Sequence, residues 1–305
     1  MIHPPRLKKG DTIGVIAPAG PPDRTRLQKA ISFFLNMGLC VQLGKHIDKR
    51  NGYLAGTDSE RLEDLQDMIT NPAIKAIVFA RGGYGCARIT PYIDFACIKK
   101  QPKIFWGYSD ITYLHTAIRQ RTGLITFHGP MLASDIGNDD FDYLSARMFE
   151  QLFQPTTYTY TEEISPLHVI AEGNANGELV GGNLSLLVSS LGTPFEIDTT
   201  NRLLLLEDIG EEPYRIDSML NQLKLAGKLE SAAGIILGDF ADAKPKVTPS
   251  LPLDKVFDDY FRKLDIPVIS GFKIGHCMPH IAIPLGVEAC LSSYDKKLIA
   301  KPGVQ

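Results

Sequence analysis

Apolar positions in the first half of the chain fall into short unbroken runs, separated by stretches spaced three and four apart. Residues 12–17, 39–43, 74–80, 103–106 and 124–127 read as strands, and residues 23–37 and 58–70 as helices. In the second helix Leu62, Leu65 and Ile69 are expected to face inward. Pro18 with the Gly20-Pro21-Pro22 turn stops the first strand, Gly38 ends the first helix, and Asn71-Pro72 ends the second. Strands separated by helices of this length imply crossover connections and a parallel sheet covered on both faces. Ligands of such sheets bind beyond the carboxyl ends of the strands. Two segments fall there: Arg81-Gly82-Gly83-Tyr84-Gly85 and Gly107-Tyr108-Ser109-Asp110.

The pattern weakens after a helix expected at 140–153. Residues 154–176 are mixed and threonine-rich, which places a boundary there: a first domain at 1–155, a linker at 156–174 and a second domain at 175–305. The second half predicts an apolar helix at 184–191, a strand at 202–207 with four consecutive leucines, a helix at 213–225 opened by Pro213, a strand at 233–237, a helix at 251–264 and a strand at 267–269. Short strands around turns are expected over 281–299.

Composition adds limits. The chain has 305 residues, 44% hydrophobic and 22% charged, which is ordinary globular usage and enough for two domains or one large one. A net charge of −3 gives no basic footprint for nucleic acid. Five cysteines, Cys40, Cys86, Cys97, Cys277 and Cys290, form no C-x-x-C pair, so neither a zinc ribbon nor a disulfide framework is expected. Reduced thiols fit a cytoplasmic protein. No stretch has signal-peptide or membrane-span character.

The chemistry begins at Ser109. A serine at a strand-to-helix turn is presented as in a nucleophile elbow, near main-chain N–H groups able to stabilise an oxyanion. Gly-Tyr-Ser-Asp lacks the second glycine of that motif, and Ser109 or Asp110 could equally cap the helix that follows. The glycine loop at 81–85 has the wrong spacing for a nucleotide fingerprint. It could be a tight turn, or a source of N–H groups beside Ser109. A serine nucleophile needs a base. Of seven histidines, His128 and His276 stand in loops where one could serve, whereas His115 points back poorly. Glu207, ending the leucine strand, is either emerging into solvent or placed to orient a histidine. No H-E-x-x-H occurs, and Pro279 breaks up His276-x-x-x-His280, so no metal site is expected.

Together these segments resemble the LD-carboxypeptidase family of serine peptidases, family S66. The resemblance runs through Gly52-Tyr53-Leu54-Ala55-Gly56-Thr57-Asp58, Ala80-Arg81-Gly82-Gly83-Tyr84-Gly85, Gly107-Tyr108-Ser109-Asp110, Phe127-His128-Gly129-Pro130, Gly181-Gly182-Asn183-Leu184, Leu206-Glu207-Asp208, Gly275-His276 and Pro284-Leu285-Gly286. It implies a flavodoxin-like N-terminal domain and a smaller β-rich α/β C-terminal domain, with the site in the cleft between them. It implies Ser109 as nucleophile, His276 as base and acid, Glu207 as its orienting carboxylate, and the N–H groups of Gly83 and Asp110 as oxyanion hole. His128 matches no triad member and becomes a structural or pocket residue. Arg81 and Tyr84 are candidate substrate contacts. The implied reaction is hydrolysis of the L,D-amide of murein tetrapeptides, releasing D-alanine in cytoplasmic peptidoglycan recycling, by a homodimer without cofactor, metal, nucleic-acid or membrane partner. The alternative within the resemblance is a microcin-C-type hydrolase of peptide adenylates.

Overall fold

The apolar runs of the first half become β1 (Thr12–Ile16), β2 (Cys40–Leu43), β3 (Ile74–Phe79), β4 (Ile104–Gly107) and β5 (Thr126–His128) in a computed structural model that describes residues 1–305. Between them run α1 (Arg24–Asn36), α2 (Asp58–Thr70), α3 (Cys86–Ile89), α4 (Phe95–Lys100) and α5 (Thr112–Thr122), followed by α6 (Tyr143–Arg147). The starts and stops are written locally. The Asp23 carboxylate accepts the Arg26 N–H at the start of α1, Thr57 and Glu60 form a reciprocal capping box on α2, and Gly123 ends α5 in the left-handed region. The helix expected at 140–153 is instead α6 and a 3-10 turn over Met148–Leu152.

The second half supplies β6 (Tyr158–Tyr160), β7 (His168–Ala171), β8 (Asn174–Asn183), α7 (Leu184–Ser189), β9 (Leu203–Ile209), α8 (Pro213–Leu225), β10 (Gly234–Ala241), α9 (Leu253–Phe261) and β11 (Val268–Ser270). Then come β12 (Ile283–Leu285), β13 (Glu288–Ser292) and β14 (Lys297–Ala300). No helix is long and apolar enough to cross a membrane.

Two units result. The first holds residues 1–156, 278–286 and 302–305, and the second residues 157–277 and 287–301. In the first unit the strand order is β12-β5-β4-β3-β1-β2. Its five leading strands are parallel in the 2-1-3-4-5 order of flavodoxin-like sheets, and β12 closes the β5 edge antiparallel, Ile283 opposite His128. The sheet core is Ile13, Val15, Ile77, Phe79 and Phe105, with Trp106 stacked on Phe149 at 4.3 Å and donating its indole N–H to Pro130 O. The α2 face differs from expectation. Arg61 and Asp64 are buried beside Leu65, Met68 and Ile69, while Leu62 is only half-buried. Both find partners inside: the Arg61 terminal nitrogens donate to Asp58, Gly85 O and Pro18 O, and Asp64 accepts the His46 N–H.

The second unit is a sheet ordered β6-β14-β13-β8-β9-β10-β11-β7, with β8 to β11 parallel and the outer strands antiparallel. Val180, Leu204, Leu206, Ile235 and Leu237 pack against Ile216, Leu220, Leu223, Val256 and Phe261 from α8 and α9. Residues 157–174, expected within a linker, belong to this unit and carry two strands of its sheet: β6 pairs β14 and β7 pairs β11. Their strands, of three and four residues, are only partly buried and form no unbroken apolar run. Polar stitches hold them, with Tyr160 Oη 2.6 Å from Ser165 Oγ, which in turn reaches Gly271 O.

Candidate active site

Ser109 stands where β4 ends and the α5 segment begins, with φ at +61°. A residue with a Cβ avoids this left-handed region at a cost of roughly 1–2 kcal/mol, so the turn is held by its surroundings. Below it, the His115 Nε2–H donates to Gly107 O at 2.8 Å. To one side, the Tyr108 ring packs edge-on to His280 (4.6 Å) and His128 (5.7 Å), and its hydroxyl donates to Asp135 Oδ1 at 3.0 Å. Asp135 Oδ2 accepts the Met131 N–H, bracing a π-helical turn over Leu132–Ile136. Neither Ser109 nor Asp110 caps the following helix with its side chain, so the capping alternative falls away.

The glycine loop lies directly against this turn. A Cβ on Gly82 would stand 3.0 Å from Ser109 Oγ, so a side chain there would press on the hydroxyl. The Gly20 N–H donates to Gly82 O at 2.9 Å, joining the ends of β1 and β3 at the point where strand order reverses. Gly83 follows at φ +115° and is exposed. Arg81 and Tyr84 are exposed on the same loop: Arg81 donates to Pro21 O at 3.1 Å, and the Tyr84 ring meets Tyr53 edge-on at 5.8 Å.

In the second unit, Glu207 and His276 are brought together across 69 residues. Glu207 Oε2 lies 2.8 Å from His276 Nδ1. Alternation along β9 sends Leu204 and Leu206 into the helix-covered core and Glu207 to the opposite face. The carboxyl is fully buried, and burial pushes its pKa up while the imidazole beside it pulls it down. The fit depends on missing side chains. A Cβ on Gly275 (φ +116°) would lie 2.5 Å from Glu207 Oε2, and one on Gly238 would lie 3.1 Å from Glu207 Cβ. Next along the strand, Asp208 accepts from Ser185 N–H and Oγ–H and from Asn183, fixing the start of α7. With Nδ1–H donating to the carboxylate, the neutral imidazole carries its lone pair on Nε2, the atom that can act as a base.

The structure therefore gathers Ser109 with the Gly82-Gly83 loop in one unit, and Glu207 with His276 in the other. His128 is buried between Tyr108 and His280, in keeping with a packing role. No group of three His, Cys, Asp or Glu side chains is placed to hold a metal ion. Sequence reasoning passed over His115, which supports the Ser109 turn from one helical turn beyond it, and Gly275, whose neighbour His276 drew the attention.

His115 carries a pH signature. Burial lowers its pKa from 6.5 to about 4, so the folded protein keeps it neutral. The unfolded chain takes up the proton first. The stability this group contributes is full above the unfolded value and is lost as pH falls from about 6.5 toward 4, a span worth roughly 3 kcal/mol. Denaturant unfolding should show the stability gap between the native chain and His115→Gln shrinking over that window; a gap independent of pH contradicts the assignment.

Comparison with known proteins covers both halves. A family model described as the LD-carboxypeptidase N-terminal domain matches residues 13–129, and one described as the LD-carboxypeptidase C-terminal domain matches residues 176–291. The chain is 56% identical over 302 residues to the Bacillus subtilis protein named "Probable murein peptide carboxypeptidase", covering 99% of this chain and 95% of that one. It is 31% identical over 327 residues to the Escherichia coli microcin C7 self-immunity protein MccF, covering 96% and 94%. The crystal structure of muramoyltetrapeptide carboxypeptidase from Oxalobacter formigenes matches with a TM-score of 0.84 at 31% identity, covering 95% of this chain and 97% of that one.

Proposed function

Since this chain belongs to the LD-carboxypeptidase family and is a serine-type carboxypeptidase, we propose that it releases the C-terminal D-alanine from murein tetrapeptides through an acyl-enzyme on Ser109. The observation that carries this reading is the left-handed Ser109 turn packed against a glycine loop. Strain at a residue with a Cβ clusters at active sites, and here it falls on a serine whose hydroxyl is set against the glycine loop.

In this scheme His276 Nε2 takes the Ser109 proton as Oγ attacks the carbonyl preceding D-alanine. The N–H groups of Gly83 and Asp110 receive the oxyanion. His276 then gives its proton to the departing D-alanine amine, leaving the peptide esterified to Ser109. Water, deprotonated by the same histidine, hydrolyses the ester and restores the hydroxyl. Glu207 holds the ring by Nδ1 and stabilises the imidazolium between these steps. Arg81, with its guanidinium exposed beside the loop, is proposed to hold the terminal carboxylate, and Tyr84 to form a wall. A homodimer working in cytoplasmic peptidoglycan recycling belongs to the same proposal.

A second reading rests on the 31% identical MccF relative: hydrolysis of a microcin-type peptide adenylate. The higher identity to the carboxypeptidase favours the first. The test is mass spectrometry after incubation with a murein tetrapeptide and, separately, with an acyl-sulfamoyl peptide adenylate. We expect loss of D-alanine from the tetrapeptide, insensitivity to chelator, and a fluorophosphonate adduct on Ser109. Turnover of the adenylate alone selects the second reading, and a chain that turns over neither substrate and takes no label defeats both.

A further inference from the structure

One carboxylate beside the nucleophile has no part in that scheme. Asp110 is 1% exposed, and its Oδ2 accepts the main-chain N–H of Cys86 at 2.8 Å. Cys86 opens α3 at the far end of the glycine loop. Burial pushes the Asp110 carboxyl up, against the Cys86 bond and the Arg61 charge, which pull it down. A buried carboxylate is costly to leave unbonded, and here it bonds to a different segment and not to its own helix.

The loop has ties at both ends. Gly82 O accepts from Gly20, Ala80 O accepts from Ala133 at 2.8 Å, and Gly85 O accepts from the buried Arg61 at 2.9 Å. Gly83 is suspended between these ties. Of them, the Asp110 bond alone runs to the turn that carries Ser109.

We propose that the Asp110 carboxylate is a positioning residue that sets the spacing between two oxyanion donors, its own N–H and that of Gly83. The inference rests on the reading of Ser109 as nucleophile with those two groups as its oxyanion hole. An oxyanion exists only as the reaction proceeds, so misplacing a donor lowers kcat and leaves ground-state binding alone.

The test uses the full chain with Asp110→Ala and Asp110→Asn. It measures kcat and KM for D-alanine release, the rate of fluorophosphonate attachment to Ser109, and the Kd of the product tripeptide. In Asp110→Ala, kcat and the attachment rate should fall about 100-fold while KM and the tripeptide Kd stay within about threefold. Asp110→Asn should restore kcat to within about tenfold of the native value, because its Oδ1 accepts the same N–H. If Asp110→Ala does not fold, Asp110→Ser, whose hydroxyl is too short for the span, reads the same split. An unchanged kcat in Asp110→Ala, equal damage in Ala and Asn, or a loss of tripeptide binding that matches the loss in kcat overturns the proposal. A native chain that releases no D-alanine and takes no label overturns the catalytic reading along with it.

Discussion

Replacing Ser109 by glycine should abolish turnover and make the protein more stable. Removing a triad serine costs about 10⁶ in kcat. The stability gain comes from the backbone. Ser109 sits at φ +61°, where glycine has no Cβ to clash and serine does. Relief of that strain exceeds the entropy glycine restores to the unfolded chain, for a net gain of up to about 1 kcal/mol. Ser109→Ala should lose the same activity with no such gain, since alanine keeps the Cβ. Thermal unfolding together with D-alanine release measures both. Ser109→Gly less stable than Ser109→Ala would remove the strain argument, and activity in either variant would remove the nucleophile.

Glu207→Gln should lower kcat by about 10⁴ with little change in KM. The geometry supplies the reason. Oε2 lies 2.8 Å from Nδ1 in a site where Gly275 and Gly238 leave no space for another arrangement. An amide that turns its NH₂ to Nδ1 forces the ring proton onto Nε2, which then cannot accept from serine. Turned the other way, it offers no charge to the imidazolium. The fold should persist, because a neutral amide of the same shape costs less to bury than a carboxylate. Steady-state kinetics near neutral pH give the answer, and a loss smaller than about tenfold would mean that Glu207 is not the orienting group.

What the sequence made legible follows from how completely each element is buried. The parallel strands β1, β3, β4 and β5 were readable because each lies in a largely apolar run, as a strand covered on both faces must, and α1 and α2 because their apolar spacing is bounded by Gly, Pro or a capping side chain. The strands β6 (Tyr-Thr-Tyr) and β7 (His-Val-Ile-Ala) are only partly buried and sit in a polar, threonine-rich stretch, so they gave no such run and passed for a linker. Arg61 was unreadable for another reason: apolar spacing assumes that charges face water, and this guanidinium is buried because carbonyls of two loops and Asp58 meet it there. In the site, Ser109 was visible as a turn residue, whereas Glu207 and His276 were linked only through family resemblance. Pattern and spacing do not show that a strand end and a loop 69 residues later share a hydrogen bond. The same holds for Asp110, whose side chain read as a helix cap and is bonded to Cys86 instead.

The route of the chain has an evolutionary corollary. It leaves the first unit after residue 156, comes back for residues 278–286, departs again and returns for 302–305. The β12 strand that covers the β5 edge is thus encoded just after His276. No single crossover in the gene can exchange one unit for a foreign counterpart: a break near residue 156 would strip the first sheet of its closing strand and expose an edge prone to aggregation. Exchange of the first unit therefore needs the 278–286 segment carried over along with residues 1–156.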